Sequence, residues 1–216
     1  MSDGSEKIIA VTIILGVVAG LIFLIYKLAV HFEKKKEENF KKLGRPYGLR
    51  FEKDMLAEYG TKKGPLLKGT IKGHNFVCYT YVVGAGKNAT YWTAFKLQHN
   101  LNTEGYRLRL ASEHIFRKMG KGLGLVKEIE IGVQDFDHRF LIDAENLTTT
   151  RTLLNKKTRD KLTDIPKMYF GELLVDNQEI FYKVPLQLSH DKSCENFKIA
   201  LEAAILLLDD LKRVYR

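Results

Sequence analysis

The chain has 216 residues, 45% of them hydrophobic and only four prolines, with 35 Lys and Arg against 26 Asp and Glu for a formal charge of +9. That composition excludes a disordered chain, and two cysteines, Cys78 and Cys194, are too few for the disulfide framework of a small secreted domain. The basic balance raises nucleic acid as a partner, so where the charge lies decides its meaning.

Residues 8–26 carry no charged side chain, and thirteen of these nineteen are Ile, Val, Leu or Phe. With residues 28–30 beyond Lys27, the run covers a hydrocarbon layer of about 30 Å at 1.5 Å per residue, which predicts a transmembrane helix over residues 8–30. At about −0.3 to −0.6 kcal/mol each, the thirteen side chains favour insertion by roughly 4–8 kcal/mol. Asp3, Glu6 and Lys7 do not make the basic start of a cleaved signal peptide, and no small-x-small cleavage site precedes His31. The segment therefore reads as the uncleaved signal anchor of a single-pass protein of the cell membrane. Only Lys7 precedes the span, whereas Lys27, Lys34, Lys35, Lys36, Lys41, Lys42, Arg45 and Arg50 follow it. That asymmetry places residues 1–7 outside and the bulk of the chain in the cytosol. Thr12, Gly16 and Gly20 recur every four residues, a spacing that lets two membrane helices approach closely and nominates this face for a homodimer. The simpler reading is that glycine is frequent in membrane helices.

No Gly or Pro interrupts residues 21–43, and Glu37 with Lys41 and Glu38 with Lys42 have the favourable i,i+4 order. The helix is expected to run on to Leu43, to end in a left-handed Gly44 and to be stopped by Pro46. Residues 31–44 would then be a charged helical stalk standing about 20 Å off the bilayer. Its lysines, each worth about 1 kcal/mol beside anionic lipid, account for part of the positive charge. The remaining Lys and Arg are scattered pairs such as Lys62 with Lys63 and Lys156 with Lys157, the pattern of a solvated surface. Nucleic acid is thus an unlikely partner, and membrane lipid or a protein is the better one.

Residues 45–216 suit one soluble domain with one core. Residues 76–83 and 89–97 are β-branched and aromatic and flank the turn cluster 84–88, which predicts an antiparallel hairpin. Further strands are expected at 67–72, 106–111, 127–132 and 139–144, and a second hairpin at 168–184 turning at Asp176 and Asn177. One helix is expected over 149–162, ahead of Pro166. The last helix would be capped by Ser193 and carry Phe197, Ala200, Leu201, Ala204, Leu208, Leu211 and Tyr215 on one face, widened by Ile205, Leu206 and Leu207. The predicted class is α+β: a transmembrane helix, then a mostly antiparallel sheet with helices on one face, including the amphipathic C-terminal helix.

The chemistry-bearing clusters are few. Asp135, Asp137 and His138 place two carboxylates and an imidazole within four residues, the makings of an acid–base or metal site. The competing reading has the aspartates bonding local backbone in a turn while Phe136 and Phe140 anchor it to the core. His74 and Cys78 would share a strand face, but no second pair with ligand spacing accompanies them, so no metal is assigned. Gly84-Ala-Gly-Lys87 lacks the first glycine and the final Ser or Thr of a phosphate-binding loop, and Gly120-Lys-Gly-Leu-Gly124 lacks dinucleotide spacing; no cofactor is implied. The glycosylation sequons at Asn88 and Asn146 matter only in a secretory lumen.

The stretch 129–142, a short strand ending in Gly132 followed by Phe136-Asp137-x-x-Phe140 and another strand, resembles a group of bacterial membrane-anchored proteins of unknown function. Tyr47-Gly-Leu-Arg-Phe51 and Leu67-Lys-Gly-Thr-Ile-Lys-Gly73 are similar to the opening segment of their soluble domain. The resemblance implies a bacterial inner-membrane setting and brings no activity or site residues. The sequence reading is therefore a membrane-held scaffold or regulatory module that binds a protein or the membrane surface. The alternative is a membrane-tethered enzyme with a cleft near Asp135, Asp137 and His138.

Overall fold

The computed structural model describes residues 3–56, 63–112 and 128–215. Helix α1, Asp3–Gly44, is continuous from the apolar run through the charged stretch. Among the described residues it is the one helix long and apolar enough to cross a membrane. Its span side chains are exposed, with Ile13, Leu15 and Ile25 all above 60%, a surface that calls for lipid around it.

The domain is an eight-stranded antiparallel sheet with helices, so the α+β class is as expected. Its strands are β1 Arg50–Leu56, β2 Lys63–Ile71, β3 His74–Val83, β4 Thr90–Gln98, β5 Leu108–Ser112, β6 Phe140–Ala144, β7 Glu172–Val175 and β8 Glu179–Val184. They lie in the order β1-β2-β3-β4-β8-β7-β5-β6. The 76–83/89–97 hairpin is present as β3 and β4, with Cys78 opposite Phe95, and the second hairpin is β7–β8, where Val175 pairs with Ile180. Among the described residues four further α-helices accompany the sheet: α2 Gln134–Asp137, α3 Leu147–Leu153, α4 Lys156–Thr163 and α5 Asp191–Val214.

Alternation sorts each strand into two faces. One face carries Leu67, Phe76, Cys78, Phe95, Leu97, Tyr182, Leu173, Leu110 and Ile142, all buried, in one core with Phe197, Ala200, Leu201, Ala204 and Leu208 of α5. Aromatic rings cross the middle of this layer: Phe95 to Tyr182 at 5.4 Å, Tyr182 to Phe170 at 5.8 Å, Phe170 to Phe140 at 4.8 Å and Phe140 to Phe136 at 4.6 Å. Such ring pairs add to plain area burial. Gly171 closes one end of the layer, because a Cβ there would sit 1.8 Å from the Lys183 carbonyl oxygen.

Four local expectations are corrected. The 149–162 helix is two helices, because Asn155 leaves the helical path and its side chain accepts from Thr158 N, as Asn146 does from Thr149 N for α3; both are N-caps inside one apolar pattern. The described part of the 127–132 strand is a lone bridge, Glu128 with Asp143, not a ladder. Ser193 lies inside α5, whose N-cap is His190. Gly44 is right-handed, with φ −78°, and is glycine for lack of room: a Cβ would meet Leu67 Cδ2 at 2.8 Å. The glycine run at 120–124 lies outside the described residues.

Candidate functional site

The charged end of α1 is built into the domain. Phe40 and Leu43 are buried, as are Lys36 and Asn39. Asn39 Nδ2 donates to the Leu188 carbonyl at 2.8 Å, and the Cys194 thiol lies 3.5 Å from the Asn39 carbonyl oxygen. Lys35 pairs with Asp191 at 3.0 Å, Lys53 with Glu37 at 2.7 Å, and Lys41 Nζ lies 4.9 Å from the centre of the Phe51 ring. A free stalk about 20 Å tall is thus not what the helix provides. Its polar face satisfies charges around the junction while Phe40 and Leu43 join the core.

The Asp135, Asp137, His138 cluster is a turn. Both carboxylate oxygens of Asp137 accept backbone N–H groups, from Ile131 at 3.0 Å, Gly132 at 2.9 Å and Val133 at 2.8 Å. Phe136 and Phe140 are buried beneath it. Asp135 and His138 are exposed. Asp137 therefore holds the chain into α2. His74 and Cys78 do share a face, but Cys78 is fully buried, its thiol pushed up by burial and by nearby Cys194. Both cysteines are free thiols. His74 Nδ1 lies 3.2 Å from the Gln98 carbonyl oxygen. Among the described residues no group of three or more His, Cys, Asp or Glu is placed to hold a metal. A Cβ on Gly16 or Gly20 would meet nothing within 4 Å, so no contact within this chain requires glycine there.

The opposite face of the sheet holds a site that the sequence reading missed. Glu172, only 2% exposed, receives Arg109 Nε at 2.5 Å and Lys183 Nζ at 2.7 Å. A buried carboxylate needs such pairing to stay charged. Around it lies an aromatic strip. Tyr81 stacks on Trp92 at 6.3 Å, Lys183 Nζ is 5.8 Å from the Trp92 ring, and Tyr79 contacts Tyr81 at 5.9 Å. Lys96 and Lys183 both lie 5.9 Å from the Phe181 ring. The Tyr81 hydroxyl is pushed up to about 12, first by burial and then by the Glu172 charge, so it stays a neutral donor. The Trp92 indole N–H is buried and donates to no group among the described residues. Tyr79 and Ala94 are buried among Leu66, Val77, Tyr81 and Phe181. The face thus combines aromatic rings, cations and a buried, paired carboxylate. Its signal in the sequence was the alternation Val77, Tyr79, Tyr81 against Trp92, Ala94, Lys96. No sequence spacing announces Glu172, because its partners come from β5 and β8.

No family model and no curated protein matches the chain. Among solved structures, the crystal structure of the mycobacterial trehalose monomycolate transport factor A, TtfA, is similar with a TM-score of 0.50 at 14% identity, covering 84% of this chain and 96% of that one. At that identity the likeness is one of fold. The exposed apolar helix fits a membrane-associated protein.

Proposed function

We propose that this chain is a single-pass, membrane-anchored accessory module whose domain lies in the cytosol of a bacterial cell and binds an integral membrane protein through the aromatic face of its sheet. The observation that carries this reading is the continuity of α1, which enters the core at Phe40 and Leu43 and so couples whatever the sheet binds to the bilayer. The lysine asymmetry about the span supports the cytosolic orientation. A role in moving lipid or other cargo is supported by the name of TtfA, a transport factor with the same fold. The small-residue face Thr12, Gly16 and Gly20 supports side-by-side packing of the anchor with a second membrane helix, a partner's or another copy's.

A photo-crosslinking residue at Val77 of the full chain in native membranes tests the reading, with one at Lys157 on α4 as the control. Val77 is expected to yield an adduct with a membrane-spanning protein, and Lys157 none. Equal adducts at both positions, or none at Val77, would overturn it.

A further inference from the structure

Helices α3, α4 and α5 leave a cavity of about 500 Å³ between them, within the roughly 300–1,000 Å³ of small-molecule sites. Leu206 forms its apolar wall. That residue stands in the run Ile205-Leu206-Leu207-Leu208, yet it is half-buried where the other three are buried, because it lines the cavity and not the core.

The polar lining is an ordered set of donors around one buried acceptor. Asp210, 3% exposed, forms the floor. Its Oδ2 accepts from Asn155 Nδ2 at 2.6 Å and from Thr158 Oγ1 at 3.5 Å, and its Oδ1 accepts from Arg213 Nη2. Both oxygens are thus engaged, and the buried carboxylate holds the guanidinium beside the cavity. The second carboxylate of the lining, Asp209, is drawn to Lys72 Nζ at 2.5 Å. Arg213 has a largely exposed side chain and keeps further N–H donors, since a guanidinium carries five. Lys157 is exposed at the same cavity and pairs with no carboxylate among the described residues. What the cavity offers a ligand is therefore two cations from facing helices and an apolar wall.

We propose that this cavity binds a small phosphorylated metabolite, its phosphate held between Lys157 and Arg213 and its organic body against Leu206. A phosphate monoester carries close to two negative charges at neutral pH, matching two cations where a carboxylate would match one, and an arginine already fixed by a buried partner suits an oxyanion. The ligand comes from solution. Lys35 pairs with Asp191 and Asn39 meets Cys194, so α1 and α5 run the same way and Asp210 lies about 28 Å further from the span along α5. The site is separate from the aromatic face of the sheet and does not depend on the partner proposed for that face.

The test titrates the full chain in detergent micelles with phenyl phosphate, inorganic phosphate and benzoate, read by calorimetry. Phenyl phosphate is expected to saturate a single site per chain. It should bind more tightly than inorganic phosphate, which lacks the organic body, and than benzoate, which carries less charge. Lys157→Gln and Arg213→Gln should each weaken it by about tenfold, and Leu206→Trp, which fills the space, should abolish it. Lys87→Gln, in the turn between β3 and β4, should leave it unchanged. Arg213→Gln also takes a partner from the buried Asp210, so Lys157→Gln and Leu206→Trp, at exposed and half-buried side chains, decide the case if that variant fails to fold. No saturable binding of phenyl phosphate at millimolar concentration would overturn the proposal. So would benzoate or inorganic phosphate binding as tightly, an affinity indifferent to Lys157→Gln and Leu206→Trp, or one that Lys87→Gln lowers as much as Lys157→Gln.

Discussion

The two halves of α1 reverse what their compositions lead one to expect. From Val11 to Val30 the helix is apolar and exposed, while the charged half contains Phe40 at 0% and Leu43 at 1% exposure and even a buried Lys36. One regular helix thus serves two solvents. The first half is long and apolar enough to cross a membrane, and for that its side chains need only be apolar. The second half meets a protein surface of fixed shape, where Asn39 must reach one carbonyl and Gly44 must leave room for one methyl group. Composition sets a transfer energy; packing sets which positions tolerate change.

Substitutions measure that contrast. The largest expected effect is Phe40→Ala, a loss of about 3–5 kcal/mol from the cavity it leaves, read from denaturant unfolding of the full chain in detergent. Phe23→Ala in the span should leave the same midpoint within about 0.5 kcal/mol; equal losses at both positions would erase the distinction. Next comes Gly44→Val, whose side chain would press on Leu67, at about 1–3 kcal/mol. Asn39→Ala removes the bond to the Leu188 carbonyl and should cost about 1–2 kcal/mol, a smaller drop in the same assay. Acid should also act on the packed domain. Burial holds His99 below its ordinary value, with Asp176 opposing, and burial together with Lys212 does the same for His74. The unfolded chain therefore binds these protons first, so stability is complete above about pH 6.5 and declines as the pH falls toward the lowered folded values. A flat unfolding midpoint between about pH 7.5 and 5 would contradict this. The smallest effect is that of Gly16→Ile, which should leave domain unfolding unchanged and alter only association between membrane helices.

The sheet shows where sequence patterns carry and where they stop. The hairpin of β3 and β4 was legible because Val77, Tyr79 and Tyr81 alternate with Phe76, Cys78 and Thr80 across a clear turn cluster. The face of α5 was legible for the same reason, at helical spacing, although Leu206 proved half-exposed and the helix began two residues ahead of Ser193. Asn155 was not, since one asparagine within an apolar repeat breaks a helix only when its side chain caps the next. The Asp137 turn was legible as one of two readings, and the backbone N–H groups of residues 131–133 supply what the pattern lacked. Glu172 was not legible at all: strand order places β5 and β8 on either side of β7, and nothing local foretells that order.

By itself the sequence determined the properties that add up residue by residue: an apolar length matched to a bilayer, a charge asymmetry about it, the periods of strand and helix and hence the α+β class. The tertiary structure alone decided those that depend on which distant segments meet. It drew the charged end of α1 into the core and gathered Arg109, Glu172 and Lys183 on one face. The physical reason is one of range. Transfer energies and local periodicities are sums over neighbours in the chain, whereas close packing and buried charge pairing are satisfied only by partners brought together across the fold.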